Sequence, residues 1–404
     1  MQVSIERLGH LGDGIAPGPV YAPRTLPGEI VEGAIEDQRI EAPRIIAPSP
    51  DRVRPQCRHY RSCGGCALQH ASDGFVTRWK TEVVRAALAA QGLGAVPDAI
   101  LTSPPRSRRR AVFAGRRTKG GPLVGFHAPR SDAITRIPDC QLIHPLLISA
   151  LPALEALVEA GGSRRTALRL SVTVSQDGPD VAVSSGKPLD QALSVDLARI
   201  AGQFGIARLA WDGELVALVS PPAQTFGRAA VVSPPGAFLQ ATAEGETALV
   251  SEVRRATRGA NNVLDLFSGC GTFSLPLAED AEVHAVEGNE AMLSALDAGW
   301  RGATGLKRVT TEARDLFRRP MLPDELDRFD AVVIDPPRAG AESQVAELAR
   351  SGISIIAAVS CNPVSFARDA RLLMNAGYEI QRLVIVDQFR WSTHVELFAG
   401  FRRK

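Results

Sequence analysis

The sequence predicts an α/β protein. Its C-terminal part reads as a doubly wound, mainly parallel sheet, its middle as a central α+β domain, and its N-terminus as a small β-barrel. Three observations carry this. From residue 245 onward, short apolar runs alternate with glycine turns and helical stretches, the pattern of a sheet with helices on its faces. Residues 1–50 give turn signals every several residues and no lasting helical period, as a small barrel does. Between them, three cysteines fall within ten residues and open a segment of mixed strands and helices. A length of 404 residues suits two or three domains, drawn here at 1–50, 51–240 and 241–404.

The barrel strands are read in VSIERLG, GPVYAPR, GEIVEGAI and RIIAPS. Residues 51–72 form a cysteine loop. A helix is expected over 77–91, with Trp79, Val83, Val84, Ala87 and Leu88 on one face and Gly92 as its stop; its apolar face can pack on the C-terminal domain. Strand-like RLSVTVS, VAVSS and ALVS then alternate with helical LLISALPALEALVEA and LDQALSVDLARIAGQ. In the C-terminal part, strands are expected at 263–267, 283–287, 331–335, 355–360, 383–387 and 395–399. The last two are close enough to end the sheet as a hairpin.

No run approaches the ~18 apolar residues of a membrane span, and the N-terminus has no basic region followed by an apolar run. A cytoplasmic protein with reduced thiols is therefore expected. Net charge is only +2, yet residues 51–140 hold sixteen Lys and Arg against six Asp and Glu, a local +10 that leaves −8 for the remainder. RSRRR (106–110) and RRTK (116–119) concentrate it. Such asymmetry points to a polyanion, RNA or DNA.

The six cysteines sort by neighbourhood. Cys57, Cys63 and Cys66 have the spacing C-x5-C-x2-C, and Cys140 in IPDCQLIHP offers a fourth thiol. Four thiolates suit a tetrahedral metal or an iron–sulfur cluster, and spacing alone does not separate the two. Gly64 and Gly65 allow the tight turn between Cys63 and Cys66. The first gap of five differs from the gap of three typical of clusters that cleave S-adenosylmethionine. Cys270 lies in a glycine turn as a small residue. Cys361, in VSCNPVSFARD after an apolar run, is open between core filler, metal ligand and nucleophile.

VLDLFSGCGTFSLPLA reads as strand, glycine turn and helix, with Gly269 and Gly271 permitting close backbone approach at the strand's carboxyl end. Asp265 precedes the turn. Glu287 ends the next strand, where an acid accepts from ribose hydroxyls. Together they fit a nucleoside cofactor such as S-adenosyl-L-methionine better than a dinucleotide. In DPPR (335–338), two prolines lock an extended backbone after a strand and fix Asp335 at the crevice.

These residues resemble the RNA 5-methyluridine methyltransferases, over most of the chain. IERLGHLGDGIA with TLPGEIV resembles that family's N-terminal TRAM barrel, an OB-like RNA-binding module. CRHYRSCGGCALQH with Cys140 is similar to its four-cysteine 4Fe-4S site. FLQAT (238–242), LDLFSGCGTFSL, VEGNE, DPPRAG, SCNP and HVE follow in the family's order. The resemblance implies a Rossmann-like methyltransferase sheet, S-adenosyl-L-methionine and a 4Fe-4S cluster as cofactors, and a loop or single-stranded uridine of 23S ribosomal RNA as substrate; no protein partner is implied. It implies that Cys361 is the nucleophile and Glu396 the general base. Gln240, Phe267, Thr272, Glu287, Asp315 and Asp335 would line the cofactor site, and Cys57, Cys63, Cys66 and Cys140 would hold the cluster. His394, expected on the same strand face as Glu396, would orient base or RNA, or simply start the strand. One departure shows: the family's proline after Phe389 is Arg390 here. Two other readings remain: the same reaction on a transfer RNA, or a catalytically silent RNA-binding assembly factor.

Overall fold

The computed structural model describes residues 1–403. Its C-terminal part is built on an eight-stranded sheet. In spatial order the strands are Val309–Ala313, Glu282–Glu287, Asn262–Leu266, Ala331–Ile334, Ile355–Ser360, Leu397–Arg403, Tyr378–Asp387 and Ala99–Thr102. The first five are mutually parallel. Leu397–Arg403 runs antiparallel to both of its neighbours. The strand order reverses between Asn262–Leu266 and Ala331–Ile334, and ligands of such sheets bind at the carboxyl ends flanking that reversal.

Each inner strand is buried on both faces, as Ala331–Ile334 shows with four buried residues. That is why these runs are uninterruptedly apolar. One face is covered by helices Glu342–Arg350 and Pro363–Asn375, the other by Ala243–Ala256 and Glu290–Gly302. Pro363 stands in the first turn of its helix, where its missing N–H costs nothing, and Asn362 caps it by accepting from the Val364 amide at 3.1 Å.

The last two strands run Tyr378–Asp387 and Leu397–Arg403 rather than 383–387 and 395–399, and two strands of the sheet were not expected at all. Val309–Ala313 is an edge strand of sequence VTTEA; its polar alternation hid it among apolar neighbours. Ala99–Thr102 pairs in parallel with Tyr378–Asp387, so the chain contributes an outer strand to this sheet before it builds its central region. A boundary at residue 240 therefore does not hold for that segment. The preceding helix runs Asp73–Ala89, earlier than 77–91, because Ser72 caps it on the Phe75 amide. It buries Val76, Lys80, Val84 and Leu88 rather than Trp79 and Val83, and Val84 and Leu88 join the core beneath Pro363–Asn375.

The central region is a seven-stranded, mostly antiparallel sheet from Ile134–Thr135 to Glu214–Leu218, with helices Leu151–Gly161 and Gln191–Phe204 sharing its core. The N-terminal residues form two three-stranded antiparallel sheets. Ile5, Ala16, Val20, Ala22, Val31 and Ile40 make one small core there. Among the described residues no helix is long and apolar enough to cross a membrane.

Candidate active site

The carboxyl ends of the parallel strands deliver the predicted groups to one edge of the sheet. Asp265 is the penultimate residue of Asn262–Leu266 and fully buried. Ser274 donates to its Oδ2 at 2.5 Å, while Oδ1 has no partner. Burial raises its carboxyl to about 7, with Asp335 and Glu287 adding like charge. Phe267 follows in the left-handed region, at φ 61°, a conformation that costs a side-chain-bearing residue energy and gathers at functional sites. Gly269 and Gly271 continue the turn at φ 56° and 94°. This backbone aims the Gly269 amide at Glu287 Oε2, 3.1 Å away, while Glu287 Oε1 accepts from the Asn289 amide at 3.0 Å.

Asp315 accepts from the amides of Phe317 and Arg318 at 3.0 and 3.3 Å. The turn so formed presents the exposed Phe317 ring to Phe267, with centroids 5.4 Å apart. Thr272 follows Gly271 at the end of the same turn. It lines a cleft with Arg254, Arg258 and Asp280.

On the other side of the strand reversal, Asp335 follows Ala331–Ile334 and accepts from Gln240 Nε2 at 3.4 Å. Burial raises its carboxyl to about 7. Cys361 follows Ile355–Ser360 and is partly exposed. Burial, then the carboxylates of Glu396 and Asp335, push its thiol up to about 11, with Arg338 pulling the other way. Glu396 is buried, and burial followed by the charge of Asp335 raises its carboxyl well above the usual range. Asn362 and Ser365 both donate to the Arg338 carbonyl, at 2.8 and 3.2 Å, so the residues beside Cys361 fix the DPPR turn against it.

Sequence reasoning missed Gln388. This buried side chain donates from Nε2 to Gln240 Oε1 at 2.6 Å and to Glu396 Oε2 at 3.1 Å, and accepts from the Ala241 amide at 2.7 Å. It stands six residues ahead of His394, in a stretch with no motif of its own. His394 and Glu396 do not share a strand face as expected. Both precede Leu397–Arg403; His394 is exposed and meets Arg338 Nη2 at 3.3 Å, whereas Glu396 turns inward.

Cys57, Cys63, Cys66 and Cys140 line one cavity with Tyr60, Gln69, Phe126, Ile137 and Leu142. Hydrogen-bond donors face three of the sulfurs: Gly65 N to Cys63 at 3.4 Å, Gln69 Nε2 to Cys66 at 3.2 Å, and Leu142 N to Cys140 at 3.5 Å. Burial, with the neighbouring thiols, pushes Cys66 up to about 12 and raises Cys63 and Cys140. Among the described residues no group of three or more His, Cys, Asp or Glu side chains stands as a ready metal-ligand set.

The RSRRR run is not a free basic surface. Arg108 is half-buried within the field of Cys66 and Cys140. Arg109 pairs with Glu246 at 2.5 Å and donates to the Gln240 carbonyl at 3.1 Å. Arg110 lies over the exposed Phe238 ring, 5.6 Å from its centroid.

A Rossmann-like sheet with a thiol and acids gathered at its strand reversal defines a methyltransferase-type site, and the comparisons narrow it. Residues 230–402 match the family described as tRNA (Uracil-5-)-methyltransferase. A protein of Mesorhizobium japonicum named as an uncharacterized RNA methyltransferase is 46% identical over 98% of this chain and 96% of its own. The 23S rRNA (uracil(1939)-C(5))-methyltransferase RlmD of Chromohalobacter salexigens is 33% identical over 98% of this chain and 87% of its own. The Pyrococcus abyssi tRNA (uracil-54, C5)-methyltransferase, solved with S-adenosyl-L-homocysteine, superposes over 99% of both chains with a TM-score of 0.78 at 23% identity. This chain belongs to the RNA (uracil-5-)-methyltransferase family, and RNA is its substrate.

Proposed function

We propose that the protein methylates carbon 5 of a specific uridine in 23S ribosomal RNA, with Cys361 as nucleophile, Glu396 as general base and S-adenosyl-L-methionine as methyl donor. The observation that carries this reading is the convergence of Cys361, Glu396 and Asp335 within one electrostatic field at the strand reversal. The ribosomal substrate rests on the 33% identity to the 23S enzyme over nearly the whole chain.

Carbon 5 of uracil is a weak nucleophile. The Cys361 thiolate bonds to carbon 6, moving the ring's electrons toward carbon 5 and the carbon-4 oxygen. The activated carbon 5 takes a methyl group. Glu396 then removes the carbon-5 proton, the double bond re-forms and the sulfur–carbon bond breaks, returning the thiolate. Cysteine suits the first role because its thiolate is strongly nucleophilic. A carboxylate of raised pKa suits the second, since it holds the proton it takes. Carbons 5 and 6 are hidden in a duplex, so the uridine must be unstacked to reach Cys361.

The residues fit the methyl donor through the unpaired Asp265 Oδ1, with Asp335 and Glu287 near it, and the glycine turn facing Glu287. Gln240, Phe267, Thr272, Glu287, Asp315 and Asp335 would hold it. When bound, S-adenosyl-L-methionine supplies the methyl group from a positively charged sulfonium, which these acids favour.

The four cysteines fit a 4Fe-4S cluster through their shared cavity and the donors facing their sulfurs. Such a cluster would clamp the loop 57–66 to Cys140; moving a methyl group and a proton requires no electron. Iron and sulfide analysis of anaerobically purified protein should give about four of each per chain; a single zinc would replace the cluster with a tetrahedral site.

The test of the reaction uses labelled methyl donor and total RNA from cells lacking this gene, followed by mapping of the methylated nucleotide. Cys361→Ala should abolish transfer, and Glu396→Gln should trap a denaturation-resistant RNA–protein adduct. Label in transfer RNA alone would replace the ribosomal substrate. Full activity of Cys361→Ala would end the nucleophile assignment, and RNA binding without any transfer would favour a silent assembly factor.

A further inference from the structure

Both Gln388 and Glu396 belong to the segment 387–396, which joins the last two strands of the sheet. An ordinary hairpin connection is held by its own strands. This one is gripped from parts of the chain some three hundred residues earlier. Lys80, in the helix Asp73–Ala89, reaches Asp387 Oδ1 at 2.6 Å with both side chains essentially unexposed, and donates again to the Phe389 carbonyl at 3.2 Å. Arg390 binds Asp73 at 2.6 Å, donates to the Ser103 carbonyl at 3.3 Å and lies over the Trp391 ring. Trp391 is buried in the core of the central region, at a positive φ of 57°. Its carbonyl accepts from the amides of Ala67 and Leu68, at 2.8 and 2.9 Å; these follow directly after Cys66. A Cβ on Gly12 of the N-terminal strands would lie 3.2 Å from Thr393 Cγ2.

A buried ion pair gives little net stability, because desolvation offsets most of the attraction. What it does supply is a single permitted geometry. Here that geometry fixes the residue next to Gln388, whose amide holds Glu396 and Gln240 together.

We propose that the N-terminal half of the chain clamps segment 387–396, and that Lys80, Asp387 and Arg390 are positioning residues for the proton-removal step. The proposal rests on Glu396 being the base. It also gives Arg390 a task that a proline at this place could not perform, tying the segment to the first turn of a distant helix.

A step-specific readout separates positioning from mere stability. If the clamp loosens, methyl transfer precedes a slowed proton removal, and RNA stays bonded to Cys361. The double variant Lys80→Met/Asp387→Leu replaces the ion pair with apolar groups and should melt near the parent protein. It should turn over on the order of 10²-fold more slowly, the scale of a misplacement of about 1 Å, with methyl-labelled adduct accumulating on denaturing gels. Arg390→Ala, which breaks a partly exposed pair, should show about a threefold loss with the same adduct signature. It decides the matter if the double variant fails to fold. Variants that fold and turn over at the parent rate, or that slow without accumulating adduct, overturn the clamp. If Glu396→Gln itself accumulates no adduct, the assignment of the base has failed instead.

Discussion

Cys361 sits among groups that oppose its ionisation. Burial and the carboxylates of Glu396 and Asp335 hold its thiol near 11, and only Arg338 counters them. A thiol so placed is almost entirely protonated at neutral pH. Its reactivity in the free protein should therefore be low at pH 7 and climb as pH rises toward 11. Glu396→Gln removes a like charge and should speed alkylation at a fixed pH of about 8. Iodoacetamide labelling, read by mass spectrometry on the peptide containing Cys361, checks both. A rate at pH 7 matching that of an exposed thiol would contradict this placement.

At the scale of elements, the sequence was most readable where packing is two-sided. Apolar runs without interruption, such as AVVI and IIAAVS, announced inner strands within a residue or so of where they lie. Strands with one exposed face did not announce themselves: VTTEA alternates polar residues, and AILT buries none of its residues fully. The helix Asp73–Ala89 shows a related limit: Lys80, absent from the apolar face read in the sequence, is among the most buried side chains in the molecule, with Asp387 across from it. The site divided in the same way. Cys361, Asp335 and Glu287 lie in stretches whose local chemistry is unusual. Gln388 lies in an ordinary stretch and matters through its hydrogen bonds to Gln240 and Ala241, far earlier in the chain, and to Glu396. Such pairings depend on long-range contact and leave no mark on local spacing.

At the scale of the whole molecule, the basic excess of residues 51–140 is partly spent inside, on Glu246, the cysteines and an aromatic ring. The positive charge left at the surface should still make RNA binding salt-sensitive. Log affinity is expected to fall linearly with log salt, with a slope of about −0.7 for each phosphate neutralised on a single strand. Filter binding between about 50 and 200 mM salt measures it, and a flat response would remove the electrostatic role assigned to this segment.

The strand Ala99–Thr102 has one further consequence. It and Lys80 leave the ribosome long before Tyr378–Asp387, the strand they must meet, has been synthesised. The outer edge of the sheet and the Lys80–Asp387 contact thus stay unfinished until Tyr378–Asp387 has emerged. A nascent chain can display its basic segment early, but it cannot complete this sheet until residues 378–403 have been made. A truncated product would carry an open sheet edge, prone to pair with another chain, and no assembled active site.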